Sequence, residues 1–373
     1  MDFGQIERAW RRSWMRSIGM LSAGERVAAP PSWSEQPRSV LYMRTQGIGD
    51  LILATGVLRA IARAQPTVAL DVLTTAEASP VLEGNPYVRR VHELSRSVGG
   101  RLGVARTIYR AKYDVVIDGK ITRGASFIRS PALTLISRAP YRVGVGGGNH
   151  HLVFNLCVDA FDRVSAHMVD GSAALATPFG VDLAATDMRP EIVLSQGERE
   201  AADWEWSAAG SNDENRGERW LINISAGSSV RRWPDDRWIA LIAHLRARRP
   251  ASTVVVIGSS SEWPSVCNVA YGGRAIAVRT ERLRAALSMV GTSTRVITAD
   301  TSITHAASAF CIPTVILIQQ GLTQWLPWQT PHRAAYWTGA TIESLGVAEA
   351  CESLDSLLRL LEMTSTARNV QLD

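Results

Sequence analysis

Lysine is almost missing from this chain: of its forty basic side chains only Lys112 and Lys120 are lysines. The arginines that make up the rest are scattered, a bias that reports a GC-rich coding sequence rather than a function. No dense basic tract of the kind that tracks a nucleic-acid backbone is present. Nucleic acid is therefore not expected as a partner, and a net charge of +5 permits a phosphate-bearing ligand without demanding one. Long hydrophobic runs are also lacking. The longest, such as 253–257 and 315–318, fall far below the roughly 18 residues that span a bilayer. Cysteines are few: Cys157, Cys267, Cys311 and Cys351 lie at least forty residues apart with no CxxC pair. Neither a disulfide framework nor a zinc site is expected, and a reducing cytoplasm fits. Charged residues (20%) and aromatics (7%) are sparse, but an apolar fraction of 46% excludes disorder. No apolar stretch follows the N-terminal arginines, so a signal peptide is not expected.

What is there suffices for two domains, which a length of 373 residues favours. Residues 1–38 stand apart. Ile6, Trp10, Trp14 and Ile18 recur every four residues while Arg8, Arg12 and Arg16 take the opposite face, the pattern of a basic amphipathic helix over 5–20. Such a helix either packs its tryptophans on its own domain or lies on an anionic membrane surface. Pro30, Pro31 and Pro37 then form a linker. From Val40 onward short apolar runs alternate with helical stretches, the grammar of parallel strands and crossover helices in the α/β class. Strands are predicted near 39–44, 68–73, 88–93, 114–118 and 141–145, with helices over 49–64 and 122–138. A polar stretch, 207–218, precedes a second set: strands near 219–224, 252–257, 294–299 and 313–318, helices near 235–248, 281–290 and 301–310. The predicted domains are 39–206 and 219–345, followed by a helix and tail over 346–373. That last helix, about 347–362, leads into no strand and must pack on an existing face.

In such folds ligands bind beyond the carboxyl ends of strands, and four signals sit there. First, Gly47, Gly49 and Asp50 open the helix after the first strand. The glycines allow close backbone approach, and Asp50 is either a cleft-facing carboxylate or a helix cap. Second, SAGSSVRRWPDD (225–236) ends a strand and opens a helix. Ser228, Ser229, Arg231 and Arg232 there suit a diphosphate, or form a turn whose arginines pair with Asp235 or Asp236. Third, ADTSITHA (299–306) places Asp300, Thr301, Ser302 and His305 at a helix start, where hydroxyls cap the helix or contact sugar and phosphate oxygens. Fourth, DGKITR (118–123) brings Lys120 and Arg123 to a strand end, as acceptor contacts or as a solvated basic turn. His150, His151 and His167 with Asp159, Asp162 and Asp170 lack HxH or HxxxH spacing, so no metal site is expected.

Five segments in this order and spacing resemble glycosyltransferase family 9, the ADP-heptose:lipopolysaccharide heptosyltransferases. They are TQGIGDLILATGVLRAI (45–61), LEGNPYVRRV (82–91), YDVVIDGK (113–120), SAGSSVRRWPDDRW (225–238) and ADTSITHAASAFCIPTVIL (299–317). The resemblance implies a GT-B fold, two Rossmann-like α/β/α domains facing each other across a central cleft, with acceptor on the first and nucleotide sugar on the second. It implies Asp50 as general base and Arg231 on the donor phosphates, where the family usually has lysine. Asp300, Thr301 and His305 fall beside the donor in the family's D-S-G-x-x-H position, with Ser302 replacing the glycine. Arg123 falls near a basic acceptor-side residue with a spacing one residue short, and Gln319 stands near a usual Phe-Gly turn.

The expected activity is therefore an inverting, metal-independent transfer of a sugar, most simply heptose from ADP-heptose, to a hydroxyl of a glycan such as the lipopolysaccharide inner core. Asp50 is the expected catalytic residue. Ser228, Ser229, Arg231, Arg232, Asp300, Thr301, Ser302 and His305 are expected on the donor, and Gly49, Lys120 and Arg123 on the acceptor. No cofactor beyond the nucleotide-sugar co-substrate is expected. A cytoplasmic monomer is expected, with peripheral contact to the inner membrane through 5–20. Two alternatives stay open at this point: a nucleotide-sugar epimerase on the same scaffold, and a non-catalytic nucleotide-sugar-binding partner. A nicotinamide oxidoreductase is disfavoured because neither half carries the GxGxxG fingerprint.

Overall fold

A computed structural model describes residues 39–121, 129–146, 153–159, 166–211 and 218–370. The chain divides into two compact units between Arg189 and Pro190. In the first, the strands are β1 (Ser39–Met43), β2 (Ala69–Thr75), β3 (Arg90–Leu94), β4 (Val115–Asp118), β5 (Tyr141–Val145) and β6 (Leu156–Val158). They form one parallel sheet in the order β3-β2-β1-β4-β5-β6. Its helices are α1 (Ile48–Ala64), α2 (Val98–Ala111), α3 (Arg129–Ile136) and α4 (Met168–Ala173).

The second unit repeats the plan. It has β7 (Arg219–Asn223), β8 (Thr253–Ile257), β9 (Ile276–Ala277), β10 (Arg295–Ala299), β11 (Thr314–Gln319) and β12 (His332–Trp337). Its helices are α5 (Gln196–Ala208), α6 (Asp235–Arg248), α7 (Trp263–Gly272), α8 (Leu283–Thr292), α9 (Ser302–Ala309) and α10 (Val347–Val370). The strand order, β12-β11-β10-β7-β8-β9, is the first unit's order counted from the other edge. Each sheet therefore reverses direction once, between β1 and β4 and between β7 and β10, which are the topological switch points where such sheets leave a crevice at their carboxyl ends.

The central strands are buried on both faces, as parallel strands covered by crossover helices must be. In the first unit Leu41, Met43, Leu73 and Val116 meet Ile108 of α2 and Leu133 of α3. The helix α1 is buried along 51–61, and Gly56 lets it lie so close to the 187–189 segment that a Cβ would sit 2.2 Å from the Met188 carbonyl oxygen. In the second unit Trp220, Trp238, Leu241, Val256 and Leu317 form a core that Leu354 and Leu357 of α10 complete. The last helix thus packs on an existing face, as its lack of a following strand required, and it runs beyond the predicted 362.

Two readings need correction. The strands β6, β9 and β12 were not predicted; β9 and β12 are sheet edges and β6 is both an edge and three residues long. Edge strands are paired on one side only and need no continuous apolar run. The unit boundary also falls earlier than the polar stretch 207–218. Residues 190–206 belong to the second unit because α5 packs there: Ser195 and Glu198 form its capping box, Glu198 takes Arg284 of α8 through both carboxylate oxygens at 2.5 Å, and Trp206 donates to Thr292 Oγ1 at 3.0 Å.

The Arg284 hydrogen bonds hold the Glu198 carboxyl at about 2 instead of its ordinary 4.5. An acid held low in the folded state contributes stability that is complete above about pH 4.5 and is lost as pH falls toward 2. Discounted for the part of this side chain that water reaches, the contribution is about 1–2 kcal/mol. Glu198→Gln is therefore expected to lower the unfolding free energy by that amount at pH 7, and urea titrations should show the gap to wild type shrinking at pH 3. A gap independent of pH would remove the pair from the account of how α5 is held.

Candidate functional site at the switch points

At the first unit's switch point Arg44, just past β1, is 3% exposed. Its Nη1 donates to the Gly119 carbonyl oxygen after β4, and its Nη2 to Asp50 Oδ1 in the first turn of α1. Asp50 is not the cap of α1; Gly47 occupies that position and no side chain caps it. The carboxylate is instead about a fifth exposed, and its Oδ2 accepts no hydrogen bond among the described residues. Gly49 lies beside it in the same helical turn. One guanidinium therefore ties together the ends of both strands flanking the reversal and orients the one acid at the helix start.

The turn after β4 is built for close approach. A Cβ on Gly119 would lie 2.7 Å from the Tyr42 ring and 2.9 Å from the Met43 carbonyl oxygen, so only glycine fits. Lys120 is 8% exposed, which replaces the expected solvated basic turn with a buried ammonium beside Asp118. Burial pushes the Asp118 carboxyl up, against the opposing pull of the Ser130 hydroxyl, the Lys120 amide, Arg44 and the Lys120 charge. Burial likewise pushes the Tyr42 phenol up to about 12. Arg123, His150, His151 and Asp162 lie outside the described residues. His167 and Asp170 form the capping box of α4, so that pair serves a helix end.

At the second unit's switch point the same construction recurs. Arg231, in the 3-10 turn Ser229–Arg231 after β7, donates from Nη1 to Asp300 Oδ2 and to the Asp300 carbonyl oxygen, both at 3.0 Å. Burial pushes the Asp300 carboxyl up, while Arg231 pulls it down. Gly227 leaves room for this reach, because a Cβ there would sit 3.1 Å from Arg231 Nη2. Arg232 pairs with Glu262 at 3.2 Å. Both arginines thus have carboxylate partners, but neither uses Asp235 or Asp236. Those two acids occupy the first turn of α6, where negative charge complements the positive end of the helix. Ser228 and Ser229 are exposed on the loop, which Trp233 anchors by packing edge-on against Trp238, 5.0 Å between centroids, and donating to Leu345 O.

Thr301 is the cap of α9, its Oγ1 accepting from Ile303 N at 3.3 Å and from Asn223 Nδ2 at 3.2 Å. Ser302 follows it, half-buried. His305 is 4% exposed, its ring 5.9 Å from that of Trp325. The segment 82–91 is structural: Arg89 grips Asp71 through two bonds at 2.8 Å.

Three residues at these crevices were missed as site residues. Arg44 was visible in sequence only as the residue closing β1. Asn223 spans to Thr298 and Thr301. Glu262 gathers Ser225, Ser259 and Arg232, and its one sequence trace is the S-x-x-E capping box that begins at Ser259. Among the described residues no three His, Cys, Asp or Glu side chains gather into a metal-binding group, and no helix is long and apolar enough to cross a membrane.

The family model described as glycosyltransferase family 9 (heptosyltransferase) matches residues 101–336, more than half the chain and parts of both units. The chain belongs to this family. It is similar to lipopolysaccharide heptosyltransferase 3 of Escherichia coli K12, 22% identical over 314 residues that cover 78% of this chain and 85% of that protein. A family 9 glycosyltransferase from Veillonella parvula shares the fold with a TM-score of 0.72 at 17% identity, over 86% of this chain and 97% of that one. So does ADP-heptose lipopolysaccharide heptosyltransferase II of Escherichia coli, with a TM-score of 0.64 at 19% identity over 87% and 99%. The α/β class and the GT-B plan of two Rossmann-like units are those of this family, and the chain is a glycosyltransferase.

Removing the guanidinium at position 44 leaves the buried Gly119 carbonyl and the Asp50 carboxylate without their partner. Arg44→Met is expected to destabilise the first unit by about 2–4 kcal/mol, and Arg44→Lys by less, since a point ammonium serves one of the two acceptors. Urea unfolding of the three proteins checks the order; a Met variant as stable as wild type would show that the bridge holds nothing.

Proposed function

We propose that this family 9 glycosyltransferase transfers heptose from ADP-heptose to a hydroxyl of a glycan acceptor such as the lipopolysaccharide inner core, with inversion and without a metal ion. The observation that carries the reading is Asp50: a carboxylate at a switch point, oriented through one oxygen by Arg44 and left with the other to take a proton. The first unit would hold the acceptor, with Gly49 next to the acid in the chain and Lys120 and Arg123 on the segment that follows β4. The second would hold the donor on Ser228, Ser229, Arg231, Arg232 and the Asp300–His305 segment.

In the reaction the acceptor oxygen attacks the anomeric carbon as the bond from that carbon to the diphosphate oxygen breaks, and Asp50 Oδ2 accepts the acceptor's proton. The diphosphate leaves with increasing negative charge. Arg231 and Arg232 neutralise it by exchanging part of their pairing with Asp300 and Glu262 for phosphate oxygens, and the N–H groups of Gly227, Ser228 and Ser229 add hydrogen bonds. Two guanidiniums offer planar forks that suit a diphosphate, which supports a cation-supplied rather than metal-supplied neutralisation. The heptose and ADP assignment draws on the relatives, two of which are named for heptose transfer. We place the enzyme in the cytoplasm as a monomer, with residues 5–20 as a peripheral membrane contact; those residues lie outside the described part of the chain.

Transfer from ADP-heptose to a heptose-deficient lipopolysaccharide acceptor tests this directly. Asp50→Asn is expected to lower kcat by about 10²- to 10⁴-fold with an unchanged circular dichroism spectrum, and Arg231→Met to raise KM for the donor. EDTA should leave the rate unaltered. Wild-type activity in Asp50→Asn, preference for UDP- or GDP-sugars, or turnover of the nucleotide sugar without acceptor would each overturn a named part of the proposal, the last in favour of an epimerase.

A further inference from the structure

The segment 94–113 carries Arg96, Arg101, Arg106, Arg110 and Lys112 and not one acidic residue. Its helix, α2, buries Ile108 against the sheet, with Val104 and Ala105 packed beside it. The side about 100° round the helix from Ile108 is exposed and apolar: Val98 is 74% exposed, Leu102 67% and Tyr109 46%. At about 100° per residue these three fall within an arc of roughly 40°, so they form one stripe along the helix. Arg106 and Arg110, both exposed, follow on its flank. Arg138 places its guanidinium 5.3 Å from the centre of the Tyr109 ring, and Ile136, at the end of α3 two residues before it, is 41% exposed. Of the cations in the segment, Arg96 is neutralised by Glu77; Arg106 and Arg110 have no acidic partner among the described residues.

Glycine makes the surface lower still. A Cβ on Gly99 or Gly103 would meet nothing within 4 Å, so packing within this unit does not require glycine at either position, although each weakens the helix relative to alanine. Their effect is to leave the backbone of the exposed face open to close approach by something outside the unit.

We propose that the exposed face of Val98–Ala111 is a docking surface for an anionic lipid bilayer. An apolar stripe flanked by arginines is what an in-plane interfacial helix presents, burying the stripe at the acyl boundary and pairing its cations with lipid phosphates. A nucleic acid would use the arginines but leave the stripe wet. A second copy of the chain, docking the same face by two-fold symmetry, would set arginine against arginine. The segment 5–20 is itself net basic, with Arg8, Arg11, Arg12 and Arg16 against Glu7, and like charge disfavours it as the cover. The inference goes beyond the donor and acceptor reading and holds whether or not that reading does.

Co-sedimentation of the full chain with vesicles of phosphatidylethanolamine and phosphatidylglycerol, compared with phosphatidylcholine alone, tests it. Wild type is expected to partition onto the anionic vesicles and to be released by high salt. Arg106→Ala with Arg110→Ala should weaken partitioning by about thirty-fold, Leu102→Gln by about tenfold, and Arg106→Lys with Arg110→Lys should keep it. The same variants in a Trp10→Ala, Trp14→Ala background prevent binding by residues 5–20 from masking the effect, and thermal melts verify folding. Three results would overturn the proposal: equal binding to neutral vesicles or none, anionic-vesicle binding unaltered by the α2 changes in both backgrounds, or a dimer-to-monomer shift in sedimentation velocity with vesicle binding intact.

Discussion

Each unit is organised by an arginine that spans a strand-order reversal. The backbone ladder pairs β1 with β4 and β7 with β10 up to their carboxyl ends; beyond those ends the connections leave to opposite faces of the sheet, and side chains must join the loops that follow. Arg44 does so in the first unit by joining Gly119 and Asp50, and Arg231 in the second by joining the loop after β7 to Asp300. A guanidinium suits this task because its donors are fixed in a plane and its charge is permanent.

The same construction accounts for the electrostatics. Burial alone makes a carboxylate costly, and both Asp118 and Asp300 are pushed up by it. Each has an arginine in range to offset that cost. At Asp300 the pairing occupies the Arg231 guanidinium, so in the proposed reaction donor binding would be an exchange of one anionic partner for another. At Asp50 the pairing leaves the second carboxylate oxygen available, which is the geometry proton abstraction requires. Glycine at 119 and 227 permits both reaches, in one case beneath a tyrosine ring and in the other alongside the arginine itself.

Much of this was legible in the residues. The buried strands read as apolar runs because both their faces are covered, and the strand ends at the two switch points could be placed because turn residues follow those runs. The reading of Asp50 as a helix cap failed because the chain enters α1 through Gly47, three residues earlier than propensity for Asp suggests. The arginines of the 225–236 loop do pair with acids, but with Asp300 and Glu262, distant in sequence, instead of the adjacent aspartates. The edge strands β6, β9 and β12 were silent because one-sided pairing leaves a composition no different from a loop. The unit boundary was misplaced because 207–218 is polar, whereas the Glu198–Arg284 pair that assigns α5 to the second unit joins residues far apart in the chain.

The residue order by itself determined the α/β class, the repeated strand-and-helix grammar, the positions that end strands and the family to which these belong, since all are carried by local composition and short spacings. Tertiary structure decided which charges meet. Whether Arg44 faces solvent or bridges two strand ends, whether Lys120 is a surface cation or a buried one, and whether Leu102 lies in a core or on an open face depend on what the sheet brings alongside. No local pattern encodes that, because each of these pairings is made between segments whose separation along the chain is set only by how the strands are ordered.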